Sequence, residues 1–171
     1  ADALNNLGLL AAEEGNSQDA VRYLEAALQR NPDYSIALQN LGNLYRREGR
    51  FHQARAALER AVKLDPEDAE AHYSLGMLFA QQNDPETARR YLETALRLRP
   101  AYPEALNNLG VLNMLTGKPA EALANFQECI RVAPDFDQPY INVARAYFSR
   151  GEQQKAEAIL RQLLARNPDH E

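Results

Sequence analysis

The sequence predicts an all-α fold, a solenoid of five 34-residue helix-turn-helix repeats, and three observations carry that prediction. The first is a recurring hexapeptide: Ala3-Leu4-Asn5-Asn6-Leu7-Gly8 stands again at Ala105-Leu106-Asn107-Asn108-Leu109-Gly110, with altered copies at 37–42, 71–76 and 139–144, each 34 residues from the last. The second is a set of columns at the same step: Ala20, Ala54, Ala88, Ala122 and Ala156; Leu24, Leu58, Leu92, Phe126 and Leu160; and Pro32, Pro66, Pro100, Pro134 and Pro168. The third is punctuation, because glycines and prolines recur where helices must stop. A period of this length marks repeats that each form one supersecondary unit and bury their apolar faces by stacking. The repeats run 1–34, 35–68, 69–102, 103–136 and 137–170, in a single domain covering 1–171.

Each repeat is expected to hold a helix A and a helix B, roughly Asp2 to Glu14 and Ser17 to Arg30 in the first. Gly15, Gly49, Gly117 and Gly151 follow helix A where a left-handed residue ends a helix, and Asn83 takes that place in the third repeat. Asp84-Pro85 reads as the cap and first residue of a helix B, and Pro119 repeats the device. The recurrent proline after helix B forbids continuation and leaves a short link to the next repeat. Nothing in the chain reads as a linker or a low-complexity tract.

A unit of this length, with Leu-Gly, then Ala, then a large apolar residue, then Pro, resembles the tetratricopeptide repeat. The resemblance covers the whole chain and implies helix pairs stacked into a right-handed superhelix, with a concave groove that receives peptides or partner helices. One departure is that the family's aromatic at repeat position 4 is mostly missing: Leu4, Leu38, His72, Leu106 and Tyr140 stand there.

At roughly 100° per residue, positions 3, 4, 7, 8, 10 and 11 of helix A share one face. This is the expected core face, holding Leu4, Leu7, Gly8 and Leu10 in the first repeat and Leu38, Leu41, Gly42, Leu44 and Tyr45 in the second. The recurrent glycine lets a neighbouring helix come close, and Ala144 adds a methyl there in the fifth repeat. Asn113 stands at a core offset and needs a hydrogen-bond partner or a route to solvent.

Positions 2, 5, 6, 9, 12 and 13 form the opposite face, where function is expected. Position 6 carries Asn6, Asn40, Ser74, Asn108 and Asn142. This column is similar to the asparagine ladder in the repeat region of O-linked N-acetylglucosamine transferases, which implies that Asn6, Asn40, Asn108 and Asn142 grip the backbone of a bound chain; Ser74 interrupts it. An amide offers donor and acceptor together and can pair with a peptide unit of any sequence. The same residues could instead serve solubility or contacts between helices. At about 0.5 to 1.5 kcal/mol per bond, four amides alone support only weak binding. Tyr73, Met77, Val111, Met114, Leu115, Ile141 and Phe148 fall on the same face in the last three repeats and supply apolar surface for a ligand. Arg46 and Arg145 face the groove and could each meet a single acidic residue, but are expected to be isolated solvated charges.

Other functions are excluded or left without residues to carry them. A formal charge of −5 and a pI near 5.3 argue against nucleic acid, which needs clustered cations. No apolar run is long enough to span a membrane. His52, His72 and His170 have no second ligand at metal-site spacing, so neither metal nor cofactor is expected. There is no phosphate-cradling loop or nucleophile elbow, and the segment is not expected to be an enzyme. The single Cys129 holds a small-residue packing offset shared with Ala27, Ala61 and Ala95, which makes it an inert buried thiol. The clamp with which some family members hold a chaperone's C-terminal carboxylate is not matched, since Asn5, Glu70 and Ser74, or Gln39, Glu104 and Asn108, stand at its offsets.

The reading is a protein interaction scaffold binding an extended partner segment along helix A. Two alternatives stay open: a self-assembly module, and the substrate-recruiting repeat region of a larger enzyme. The last helix B carries Ile159, Leu160, Leu163 and Leu164, an arc expected to be too broad for its own repeat to cover and therefore a candidate for self-association. Ala1 in place of Met, and Glu171 as the first residue of a sixth repeat, predict a piece of a longer protein. The sequence names no compartment.

Overall fold

The computed structural model describes residues 1–166 of the 171, and among these all regular structure is α-helical. Two compact units divide the chain, Ala1–Tyr91 and Leu92–Glu171. The first holds α1 (Asp2–Glu13), α2 (Ser17–Arg30), α3 (Ser35–Arg47), α4 (Phe51–Leu64), α5 (Ala69–Gln81) and the start of α6 (Pro85–Leu98). The second holds the rest of α6, α7 (Pro103–Leu115), α8 (Pro119–Val132), α9 (Asp137–Ser149) and α10 (Gln153–Arg166). Odd-numbered helices are the helices A of the sequence reading and even-numbered ones the helices B. The fold is an all-α helical repeat of the solenoid class.

The punctuation acts as its chemistry requires. Gly15, Gly49, Gly117 and Gly151 have φ between 74° and 79°, and Asn83 has φ 57°. This is the left-handed region that glycine enters freely and asparagine tolerates. The Asp84 carboxylate accepts from the Thr87 N–H at 3.1 Å, capping α6 one residue before Pro85. Pro168 lies outside the described residues.

Small residues set the distance between helices A and B. A Cβ on Gly42 would lie 2.6 Å from Leu58 Cγ, and one on Gly110 would lie 2.4 Å from Phe126 Cε1. The large apolar residue of helix B therefore occupies the space left by the missing side chain. Repeats join through a second set of contacts. Leu38, Ala61 and Ala71 form a buried cluster with Leu28 and Val62 against it, drawing on three successive repeats. Ala122, Leu123, Phe126, Val143 and Ala146 do the same for the last two. Burying each such leucine or valine stabilises by about 1.5 to 3 kcal/mol.

Two polar core residues are partnered across helices. The Asn113 amide donates to Asn125 Oδ1 at 2.8 Å, and the Tyr45 hydroxyl, at the same repeat offset, donates to Glu25 at 2.9 Å. Cys129 is fully buried and its thiol donates to the Pro103 carbonyl at 3.1 Å.

Three expectations change. Leu7 and Leu10, assigned to the core, are 43% and 52% exposed, whereas their equivalents Leu41 and Leu44 are buried. The physical reason is that α3 packs on α2 as well as α4, whereas among the described residues α1 has only α2 and, lightly, α3 against it. Position 5 is not on an open face, since Asn5, Gln39 and Asn107 are buried. Successive helices A touch each other, α1 on α3, α3 on α5 and α7 on α9, and position 5 falls in that seam. In α10, Leu163 is buried and Ile159 packs on the Phe126 cluster, so only Leu160 and Leu164 remain open.

Candidate functional site

The asparagine column resolves into pairs that join one repeat to the next. In the first unit Asn40 Nδ2 donates to Asn5 Oδ1 at 2.9 Å, and Asn5 makes a long 3.4 Å contact to Asn6 Oδ1. In the second unit Asn142 Nδ2 donates to Asn107 Oδ1, also at 2.9 Å. Both pairs are 35 residues apart, linking position 5 of one helix A to position 6 of the next. Gln138 Nε2 reaches Asn142 Oδ1 at 3.3 Å, and Asn108 Nδ2 donates to its own helix at the Glu104 carbonyl, 2.8 Å away. Asn5 and Asn107 are thus members of the column that position 6 alone does not reveal. The signal was present in the doublets Asn5-Asn6 and Asn107-Asn108, read together with the 35-residue offset.

The equivalent pair between the second and third repeats is Gln39 and Ser74, both buried. The buried Gln39 Nε2 has no hydrogen-bond partner. Two turns further along α3, Arg46 is half-buried and its buried Nε is likewise without a partner. Burial holds the Arg46 guanidinium below its ordinary pKa, with the Tyr73 phenol opposing this and Arg47 adding to it. Arg46 is therefore not the solvated charge expected of it, whereas Arg145 is exposed.

In the first unit Tyr73 and Met77 are half-buried on α5. In the second unit the apolar residues line two open clefts. One, of about 160 Å³, is bounded by Val111, Met114, Leu115, Phe126, Asn142 and Arg145. The other, of about 290 Å³, is bounded by Ile141, Ala144, Arg145, Phe148, Ser149, Ala156 and Leu160. Arg145 borders both. Phe148 and Leu115 are 64% and 79% exposed. Leu160 explains part of the larger cleft: Leu24, Leu58, Leu92 and Phe126 at its offset are no more than 1% exposed, but Leu160 is 41% exposed. It lines the cleft with Ala144, which stands where the other repeats have glycine.

The buried His72 uses Nε2 in a 2.9 Å contact with the Pro66 carbonyl, and His170 lies outside the described residues. Among the described residues no cluster of three His, Cys, Asp or Glu side chains is arranged to hold a metal, and no helix is long and apolar enough to cross a membrane.

Paired helices at a fixed period define a helical-repeat scaffold. Models of the tetratricopeptide repeat match residues 1–34, 23–56, 40–89, 75–135 and 113–171, and the chain belongs to that family. A search of curated proteins found no match. Among solved structures, the chain is similar to MamA, with 26% identity, a TM-score of 0.81 and 93% of each chain covered. It is similar in fold to YrrB, described as a tetratricopeptide-repeat protein with an unusual peptide-binding site, at 23% identity and TM-score 0.72, covering 98% of this chain and 86% of that one. It also resembles an O-GlcNAc transferase mutant from Thermobaculum terrenum at 32% identity and TM-score 0.72, over 76% of this chain and 25% of that one.

Proposed function

We propose that this chain is a protein interaction module that holds an extended segment of a partner protein along its helix A faces. The observation that carries this reading is the pair of apolar clefts that meet at Arg145. Exposed apolar side chains beside concave apolar walls are costly to leave in water, and each Å² covered by a ligand contributes roughly 25 cal/mol before entropy losses. Val111, Met114, Ile141 and Phe148 select apolar side chains in the second unit, and Tyr73 and Met77 do so in the first. Asn6, Asn40, Asn108 and Asn142 contribute contacts to ligand backbone. Membership of an inter-repeat pair does not exhaust an amide, which has two donor hydrogens and an acceptor oxygen. The likeness to part of a transferase fits recruitment of a protein substrate, although this chain spans only a quarter of that protein.

The test is capture of short unstructured peptides from a displayed library by the chain and by its Phe148→Asp and Leu115→Asp variants. Both side chains are exposed, so the variants keep the fold, as circular dichroism will register. Selected peptides should bind at least about tenfold more weakly to each variant, about 1.4 kcal/mol. Unchanged binding to both removes the clefts as the site.

A second reading, self-association, is favoured by one observation: Leu160 and Leu164 are 41% and 47% exposed on α10. Leu164→Glu should convert any self-associated chain to monomer in sedimentation. If the size in solution does not change, that reading fails.

A further inference from the structure

The interruption of the asparagine column at Ser74 has a chemical consequence. Where Asn5 and Asn107 have an asparagine of the next repeat as partner, Gln39 faces the serine offset and its Nε2 is buried without an acceptor. Buried polar groups are nearly always paired, and one that is not marks strain or a missing ligand atom. A second group on the same helix is in the same condition. Arg46 lies seven residues on, about 10.5 Å along the axis and on the same side of α3, with Asn43 between them. Its Nε is buried and unpaired, and the groups that act on it are the neutral Tyr73 phenol and the like-charged Arg47, neither of them a carboxylate. A half-desolvated cation without a counter-charge is costly, and a carboxylate removes that cost with strong, charge-assisted hydrogen bonds.

We propose that the helix A face of the first unit receives an acidic residue of the bound segment, its carboxylate opposite the half-exposed Arg46 guanidinium. The inference rests on the peptide-binding reading and names the chemistry of the partner: an extended segment with an Asp or Glu side chain. It differs from capture of a chain terminus, because a single cation at position 12 of the repeat pairs with a side chain and leaves the segment free to continue in both directions.

The experiment uses peptides selected from the displayed library by the intact chain, each synthesised with its acidic residues and again with Asn or Gln in their place. Selected peptides are expected to be enriched in Asp and Glu at a fixed register. The amide forms should bind the wild-type chain about tenfold more weakly or worse, and the difference should vanish for Arg46→Met. Peptides selected without acidic preference, or a preference that survives in Arg46→Met, overturn the inference while the peptide-binding reading stands. If no peptide is captured at all, that reading falls and the inference with it. Should Arg46→Met not fold, the wild-type comparison decides alone, since an acidic peptide that binds no tighter than its amide form refutes a carboxylate at Arg46.

Discussion

Asn142 shows how one side chain can carry two roles that sequence alone does not separate. Its Nδ2 donates to the buried Asn107 Oδ1, so truncation leaves a buried acceptor without its donor. Asn142→Ala is expected to lower the unfolding free energy by about 1 to 3 kcal/mol. Asn6→Ala, at an exposed site, should change it by no more than about 0.5 kcal/mol. Urea denaturation checks both, and equal small effects would mean that the inter-repeat pair contributes little. Cys129 is the opposite case, a residue whose environment was legible from its column of alanines. Burial, and to a lesser degree Glu104, pushes its thiol from 9.0 up to about 11. The buried Tyr45, bonded to Glu25, is likewise pushed up from 10.0 to about 12. For both groups the folded pKa exceeds the unfolded one and the neutral form is favoured in the fold. Their contribution is present below the unfolded pKa and is lost as pH rises through the folded value. The urea midpoint should hold steady up to about pH 9 and fall toward pH 11, and Cys129 should resist thiol reagents at about pH 8 until the chain is unfolded.

At the level of helices, the ends were legible because stop and start signals act within a few residues. A glycine or asparagine in the left-handed region ends helix A whatever lies around it, and a proline cannot continue helix B. The spacing between helices was legible for the same local reason, once the glycine column was aligned with the leucine column. Gly42→Ala should gain up to about 1 kcal/mol of helix propensity and lose more to overpacking, about 1 to 3 kcal/mol. The reason is that the new methyl meets the branch carbon of the fully buried Leu58, which has nowhere to turn. Thermal denaturation should show a lower midpoint for the alanine variant, and a higher one would mean that the helices slide apart freely. The fifth repeat carries Ala144 at this position, and Leu160, at the offset of Leu58, is exposed there. What helix periodicity could not show was the burial of position 5, because a wheel drawn for one helix contains no information about the next helix A.

Within each of the two units, contacts join neighbours in sequence: α1 to α2, α3 to α4, α7 to α8 and α9 to α10 inside repeats, and α2 to α3, α4 to α5 and α8 to α9 between them. Stability in such an array is a sum of repeat terms and nearest-neighbour terms. Leu163→Ala, which opens a cavity in the last described helix, should therefore speed hydrogen exchange in α9 and α10 and leave α1 to α3 at wild-type rates. Uniformly faster exchange would show a single cooperative unit instead. The sequence by itself determined the all-α class, the five repeats, the helix ends, the tetratricopeptide family and the polar-to-apolar change along the helix A face, because each of these follows from local propensity repeated at a constant period. Only the tertiary structure decided which amides pair across the seam between helices A, that Leu163 is covered and Leu160 is not, and that Gln39 and Arg46 have donors without acceptors. Those outcomes depend on what the neighbouring repeat presents at the point of contact.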